Sequence, residues 1–225
     1  MLIIGHRGAS AFEPENTLDA FRKALVMGAD GFECDVRLSK DKKLVVIHDE
    51  SVKRVSGGKD ERKISELTPC QLKKYNIPLL QEVMDLKKKY PKKLMIIEIK
   101  EPGTEKMIAD MIKKNGLMKE VLVVSFFSSS INKIRQLFIP DKIKTGLIFS
   151  KMIPKPFPIA LGIKASYIVP GHFLIDEEMV GAAHRHGMKI LAWTVDDRKI
   201  AKRLEKLGVD AIASNNLLRP EMKSS

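Results

Sequence analysis

Residues 31–36 have the sequence Gly-Phe-Glu-Cys-Asp-Val, and residues 94–99 have the sequence Leu-Met-Ile-Ile-Glu-Ile. Both are short, mainly apolar runs with carboxylates near their ends, a composition typical of strands buried in a parallel sheet. Seven further short runs rich in apolar or β-branched residues lie at residues 2–4, 44–47, 121–125, 145–149, 167–169, 190–195 and 210–213. Apolar residues recur at helical spacing between most of these runs. This alternation predicts an α/β protein with crossover helices.

The run at residues 44–47 cannot be a parallel strand of the same sheet. Only residues 39–43 separate it from the preceding run, whereas a parallel crossover needs about a dozen residues. We therefore expect a hairpin, which leaves eight strands for a (β/α)₈ TIM barrel. Residues 51–76 are expected to form a small excursion above the barrel mouth. Residues 152–158 contain three prolines and are predicted not to form a regular helix.

The length of 225 residues fits one domain, expected to cover residues 1–225 with residues 51–76 as an insertion. The chain is 44% hydrophobic and 30% charged, which argues against a disordered or a membrane protein. It contains no apolar run of the roughly 20 residues that cross a bilayer, so no stable membrane insertion is expected. The N-terminus lacks the basic segment of a signal peptide, and we expect a cytoplasmic location. Cys34 and Cys70 are expected to be reduced thiols.

The formal net charge of +12 favours anionic partners but does not choose among them. Phosphodiesters, anionic membrane surfaces and nucleic acids would all be attracted, and a solvated surface of lysine and glutamate would give the same balance. Aromatic residues, which stack on bases, make up only 6% of the chain. We therefore expect a small-molecule phosphodiester substrate and no nucleic acid. The sequence leaves the oligomeric state open.

Carboxylates are predicted to converge at one end of the barrel, where functional groups of this fold collect. Because side chains alternate along a strand, Glu33 and Asp35 share a face while Cys34 points to the helices. Glu98 and Lys100 share a face by the same rule. Glu33 and Asp35 alone could form structural ion pairs with lysines of the barrel, but three buried carboxylates repel one another without a cation. The set favours a site for Mg²⁺ or Ca²⁺, with Mn²⁺ as a third candidate.

Two histidines and two cations complete the predicted site. His6 follows the first strand and His48 follows the hairpin, and a histidine pair can provide a general acid and a general base. Either histidine could instead be a structural residue. Arg7 offers a planar fork for two phosphate oxygens, and Lys100 could stabilise a developing oxyanion or simply balance the charge of Glu98.

The motifs that carry this chemistry occur in an order that resembles the glycerophosphodiester phosphodiesterase family. They are Gly5-His6-Arg7-Gly8, Pro14-Glu15-Asn16-Thr17, Glu33-Cys34-Asp35, His48-Asp49, Ile77-Pro78-Leu79-Leu80-Gln81-Glu82, Glu98-Ile99-Lys100, Ser125-Phe126 and Trp193-Thr194-Val195. The motifs extend over residues 5–195, nearly the whole chain. The ordered set is more specific than any one tripeptide.

The resemblance implies hydrolysis of a glycerophosphodiester to glycerol phosphate and an alcohol. It implies a divalent metal held by Glu33, Asp35 and Glu98, with His6 and His48 as the acid and base. Arg7 and Lys100 would bind the phosphate, and Trp193 would form a wall of the glycerol pocket.

The chain departs from the family pattern at three places. Ser214-Asn215-Asn216 stands where the last strand usually ends in Thr-Asp, and Asp196 stands where Asn is more usual. The excursion at residues 51–76 is shorter than expected. The sequence leaves the roles of Asn215 and Asn216 open. Asn16 and Thr17 fit equally well a helix cap and a part of the site.

Two other functions fit parts of the sequence. A related barrel phospholipase acting on intact lipid would need an apolar or basic ridge for the membrane, and only residues 153–157 suggest one. A non-catalytic barrel that binds anionic ligands would be expected to have lost some of the acid, base and carboxylate residues, yet all of them are present.

Overall fold

The computed structural model describes residues 1–138, 143–151 and 156–218. Eight of its strands are parallel and one is antiparallel to its neighbour. In chain order they are β1 (Leu2–Gly5), β2 (Gly31–Leu38), β3 (Leu44–Val46), β4 (Leu94–Ile99), β5 (Val121–Ser125), β6 (Lys144–Phe149), β7 (Tyr167–Pro170), β8 (Lys189–Ala192) and β9 (Ala211–Ser214).

The parallel strands close into a barrel. Strand β1 pairs with β2 on one side and with β9 on the other, and the remaining parallel strands follow in chain order between them. Strand β3 pairs with β2 and runs antiparallel to it, which confirms the predicted hairpin. The predicted (β/α)₈ TIM barrel is therefore confirmed.

The helices lie between the barrel strands and cover them. They are α1 (Leu18–Val26), α2 (Pro69–Leu72), α3 (Leu80–Lys88), α4 (Glu105–Lys114), α5 (Ser128–Leu137), α6 (Pro156–Gly162), α7 (Glu177–Arg185) and α8 (Arg198–Lys206), with 3₁₀ turns at Ile64–Glu66, Lys73–Tyr75 and His172–Leu174. Among the described residues, no helix has the length and apolar character needed to cross a membrane.

Alternation along the strands separates two packing layers. Cys34 and Ile99 pack among apolar residues of the helices, whereas Ile4, Ile96 and Val124 belong to a separate cluster that fills the barrel. The outward direction predicted for Cys34 is therefore confirmed. The inward neighbours of Cys34 at the carboxyl end of the strand are charged.

The segment 51–76 packs on the hairpin through its own apolar cluster. Val52, Ile64 and Leu72 are buried against Val45 and Ile47 of the hairpin. This packing holds the segment beside the carboxyl end of β2, where its Arg54 reaches residues of the barrel rim.

Two details of the predicted elements were wrong. Of the stretch 152–158, residues 152–155 lie outside the described residues, whereas residues 156–158 form the start of helix α6, with prolines at 156 and 158. A proline in the first turn of a helix loses no hydrogen bond, because the first N–H groups have no partner within the helix. The run 190–195 ends as a strand at Ala192, so Trp193 lies just beyond β8. Of the ridge considered for lipid contact, residues 153–155 lie outside the described residues, and Phe157 is half-buried against the core.

Candidate active site

One cavity opens at the carboxyl ends of the barrel strands. Its floor is apolar and includes Ile96, Val124 and Leu191 of the barrel interior. Its polar lining comes from the carboxyl ends of the neighbouring strands β1, β2 and β4 and from the end of the hairpin, and consists of His6, Arg7, Glu33, His48, Glu98 and Lys100. The structure thus brings together side chains that are far apart in sequence, as expected for the rim of this fold.

Three carboxylates meet beside this cavity. Glu33 and Asp35 lie on β2, and Asp35 is directly paired with Glu98 of β4. One oxygen from each carboxylate lies within 4.8 Å of the others. Within the described residues, Glu33 Oε1 is buried and has no hydrogen-bond partner. The cluster is made only of oxygen ligands and can hold a hard divalent cation.

The carboxylates perturb one another strongly. Burial, together with repulsion from Asp35 and Glu98, raises the pKa of Glu33 well above its usual range. Burial and repulsion from Asp35 raise the pKa of Glu98 to about 7. Burial would also raise the pKa of Asp35, but Lys100, Arg7 and the amide of Asn16 together hold it below its usual range. The site has more negative groups than its neighbouring cations neutralise, which is the electrostatic pattern of a cation site.

Lys100 and Arg7 lie directly against the carboxylates. Lys100 Nζ is 2.9 Å from Glu98 Oε1 and 3.6 Å from Asp35 Oδ1. Arg7 Nε is 3.3 Å from Asp35 Oδ2, and Arg7 Nη1 donates to Glu15 Oε1 at 3.0 Å. Both cations therefore balance buried negative charge, and both also line the cavity where an anionic substrate would enter.

The backbone around Arg7 is bent to bring its N–H to the site. Arg7 has a φ of 57°, and its N–H donates to Glu33 Oε2 at 2.9 Å. Gly8 follows with a φ of 85° and lies so close to helix α1 that a Cβ atom would come within 2.5 Å of the Ala20 backbone. Only glycine combines that conformation with that contact.

The sequence left open whether Asn16 and Thr17 cap a helix or belong to the site, and the structure gives one of these roles to each residue. Thr17 caps helix α1 by accepting from the Ala20 N–H at 3.2 Å. Asn16 instead holds Asp35: its Nδ2 donates to Asp35 Oδ2 at 2.8 Å, and its Oδ1 accepts from the Asp35 N–H at 3.2 Å. Asn16 therefore fixes the orientation of a carboxylate in the cluster.

His48 is held by a chain of charges that reaches the other side of the site. Its Nδ1 lies 2.8 Å from Asp49 Oδ1, and Asp49 Oδ2 accepts from Arg54 Nε at 2.6 Å. Arg54 Nη2 also donates to Glu15 Oε1 at 2.7 Å, and Glu15 is the carboxylate that accepts from Arg7. Arg54, which belongs to residues 51–76, therefore connects Asp49 beside His48 with Glu15 beside Arg7.

His6 is held by the loop that follows the last strand. Its Nδ1 lies 2.9 Å from Asn215 Oδ1, and Asn215 Nδ2 donates to Asp196 Oδ2 at 2.6 Å. Burial is the main cause that lowers the pKa of His6, and the positive charge of Arg7 adds to it. Two of the three places at which the chain departs from the family pattern, Asp196 and the segment 214–216, therefore contact each other beside His6.

Trp193 forms an aromatic wall of the cavity together with Phe126. Their ring centroids are 5.7 Å apart and the rings are nearly perpendicular. The indole N–H of Trp193 donates to the Val169 carbonyl at 2.9 Å, which fixes the plane of the ring. Both rings line the cavity together with Arg7 and Lys100.

The sequence did not assign a role to several residues of this site. Glu15 and Phe126 lie inside the family-like motifs, but those motifs gave no functional role to either residue. Arg54 lies in the excursion at residues 51–76. Arg37 is buried and donates from Nε to the His48 carbonyl at 2.8 Å. The sequence carried one sign of Arg37, because alternation along the strand places it on the same face as Glu33 and Asp35.

Comparison with known proteins connects this geometry to one family. The model of the glycerophosphoryl diester phosphodiesterase family matches residues 6–219. A protein of Caldanaerobacter subterraneus subsp. tengcongensis named glycerophosphodiester phosphodiesterase is 35% identical over 96% of this chain and 94% of its own length.

Solved structures show the same architecture. A glycerophosphodiester phosphodiesterase from Thermotoga maritima superimposes with a TM-score of 0.84 at 29% identity, covering 97% of this chain and 96% of that chain. A phosphodiesterase from Oleispira antarctica, solved in complex with the product sn-glycerol-3-phosphate, superimposes with a TM-score of 0.83 at 24% identity, covering 97% and 94%.

Proposed function

The chain belongs to the glycerophosphoryl diester phosphodiesterase family and is a phosphoric diester hydrolase, and we propose that it uses a divalent metal and two histidines to cleave its substrate. The substrate would be a glycerophosphodiester, and the products glycerol phosphate and an alcohol. The product complex of the Oleispira antarctica enzyme supports glycerol phosphate as the part of the substrate that the site retains.

Glu33, Asp35 and Glu98 would hold the metal. Their oxygens are close enough to share one ion, and the unpartnered Oε1 of Glu33 leaves a ligand position available. Oxygen ligands favour Mg²⁺ or Ca²⁺, and also suit Mn²⁺. When bound, the ion supplies positive charge against the phosphodiester oxygens.

Arg7 and Lys100 would bind the phosphate from the protein side. Each lines the cavity, and each is already oriented by a carboxylate, so little side-chain entropy is lost when an anion binds. Their charges would stabilise the negative charge that develops on the phosphoryl oxygens in the transition state.

His6 and His48 would transfer the protons. The lowered pKa of His6 keeps its ring neutral near pH 7, which suits a general base that takes a proton from the water that attacks phosphorus. Asp49 accepts from Nδ1 of His48 and so fixes the orientation of the ring, which leaves Nε2 to deliver a proton as the general acid. That acid would donate its proton to the oxygen of the departing alcohol.

Trp193 would select glycerol. Its ring is fixed by the hydrogen bond to Val169 and by the edge contact with Phe126, so it presents a rigid apolar face to the cavity. A face of this kind suits the carbon backbone of glycerol while the phosphate lies toward the cations. The alcohol group would then point toward solvent.

The observation that carries this proposal is the buried carboxylate cluster with an unpartnered oxygen, placed in one cavity with two histidines and two cations. The experiment is release of glycerol phosphate from glycerophosphocholine, measured by a coupled assay. Glu33→Gln, Asp35→Asn and Glu98→Gln should each weaken metal binding and turnover. The matched control is Cys34→Ala, which changes the residue between two of these positions but faces the helices. Equal turnover of the carboxylate variants and the wild type would contradict the proposal.

A further inference from the structure

Asn215 has an amide whose two ends are distinguishable from its surroundings. One end lies 2.6 Å from Asp196 Oδ2, and the other lies 2.9 Å from His6 Nδ1. A carboxylate can only accept hydrogen bonds, so the amide end that faces Asp196 must be the NH₂ group. The opposite orientation would place two oxygens 2.6 Å apart.

Asp196 is itself held firmly by the same loop. Its Oδ1 accepts from the Asn215 N–H at 2.7 Å and from the Ser214 hydroxyl at 3.1 Å. Asn216 Nδ2 donates to the Asp196 carbonyl at 3.0 Å. The carboxylate is therefore fixed relative to the end of β9, and the orientation that it imposes on Asn215 is fixed with it.

The orientation of Asn215 decides the state of His6. With its NH₂ group turned to Asp196, Asn215 presents only an oxygen to the imidazole, so Nδ1 of His6 must carry a hydrogen and donate it. The neutral ring then has its lone pair on Nε2. Because Nδ1 faces Asn215, Nε2 is the nitrogen that is left for the cavity that His6 lines.

We propose that Asp196 and Asn215 are positioning residues for His6, which together hold the neutral ring in the Nδ1–H tautomer and leave the Nε2 lone pair directed to the substrate. This inference rests on the proposed role of His6 as a proton-transfer group. It deepens that role, because it names what selects the tautomer that can accept the proton.

The first test is spectroscopic and independent of activity. Long-range ¹H–¹⁵N spectra of histidine-labelled protein report which ring nitrogen carries the hydrogen, and His6→Gln assigns the signals of His6 among the five histidines. We expect the Nδ1–H tautomer in the wild type. Asp196→Ala should give a mixture of tautomers, because the amide of Asn215 then loses the acceptor that holds its NH₂ group, and the remaining neighbour, the Ser10 hydroxyl 2.8 Å from Oδ1, can either donate or accept. Asp196 is exposed, so this variant should fold.

The second test is kinetic. Asp196→Ala and Asn215→Ala should each lower kcat about tenfold or more with little change in KM, because they remove a proton-transfer orientation and no substrate contact. Asn215→Asp should also be impaired, since it places two carboxylates in contact. Adding Asp196→Asn to Asn215→Asp should restore most of the activity, because the new amide at 196 can donate to the new carboxylate at 215. Asp197→Asn is the matched control, because the side chain of Asp197 caps helix α8 and is not one of the groups that connect Asp196 through Asn215 to His6.

The outcomes separate this inference from the proposed function. An Nε2–H tautomer of His6 in the wild type, or an unchanged tautomer and kcat in Asp196→Ala, would overturn the positioning role. If the tautomers behave as expected but His6→Gln keeps full turnover, the ring is positioned as inferred and the proposed role of His6 in catalysis is wrong.

Discussion

Metal binding should be strongly dependent on pH, because the carboxylates of the site hold protons when the metal is absent. The pKa of Glu98 is raised to about 7, so about one tenth of this group is ionised at pH 6 and about nine tenths at pH 8. A metal binds the ionised form and must displace the proton. Lowering the pH from 8 to 6 should therefore weaken the apparent affinity about tenfold through Glu98 alone, or about 1.4 kcal/mol.

Glu33 should add to this effect, since its pKa is also raised. A proton displaced from Glu33 would weaken metal binding further at the acidic end of the range. The sign follows from the direction of both shifts: a carboxyl group with a raised pKa holds its proton more tightly, so the affinity for the metal rises with pH. Asp35 does not oppose this trend, because its lowered pKa keeps it ionised throughout.

The assay is calorimetric titration of metal-free protein with Mn²⁺ at pH 6, 7 and 8. Repeating it in two buffers of different ionisation enthalpy counts the protons released, and we expect about one proton per metal from Glu98 at pH 6, with any release from Glu33 added to it. The control is Asp110→Asn, which removes an exposed carboxylate paired with Lys106 and should leave the profile unchanged. An affinity that is the same at pH 6 and pH 8, with no proton release, would refute the argument.

Three further predictions concern the proton-transfer groups, the substrate and the backbone. His6→Ala and His48→Ala should each lower kcat by a factor on the order of 10² or more with little loss of stability. The wild-type rate should fall on both sides of a pH optimum, and a flat pH profile in a folded His48→Ala variant would remove His48 from the mechanism. The values of kcat/KM should lie within about tenfold of one another for glycerophosphocholine, glycerophosphoethanolamine and glycerophosphoglycerol, and should be much lower for diesters without glycerol. Trp193→Ala should reduce the preference for diesters that contain glycerol, and equal wild-type rates on both kinds of diester would exclude glycerol recognition. Gly8→Ala should lower the free energy of unfolding by about 1–3 kcal/mol, because the φ of residue 8 is positive and the added Cβ would overlap helix α1. The measurement is a denaturant titration, in which an unchanged midpoint would show that the backbone adapts without strain.

The barrel could be predicted from the sequence because its strands are short apolar runs separated by amphipathic helices. The hairpin was predicted correctly from a single physical limit, since residues 39–43 are too few to cross over the sheet. The start of helix α6 could not be predicted for an equally specific reason. Proline breaks a helix in its interior but is tolerated in the first turn, and both Pro156 and Pro158 fall in the first turn of α6.

The carboxylate cluster could be predicted because alternation along two neighbouring strands fixes which side chains share a face. The contacts that orient the histidines could not. Arg54 reaches Glu15 from 39 positions away, and Asn215 reaches His6 from 209 positions away. Such contacts depend on how loops at the rim fold over the strands, which no local pattern of the sequence records. The departures at 196 and 215 were visible in the sequence, but their contact with each other was not.

The most direct test of the metal-dependent mechanism is the rate of glycerol phosphate release from glycerophosphocholine by one enzyme preparation, first with chelator and then with metal added back. We predict that the chelator abolishes turnover and that at least one of Mg²⁺, Ca²⁺ and Mn²⁺ restores it in the wild type. The same additions should restore little in Glu33→Gln, although they restore the Cys34→Ala control. Full turnover in the presence of chelator, with protein shown to be free of metal, would contradict the account.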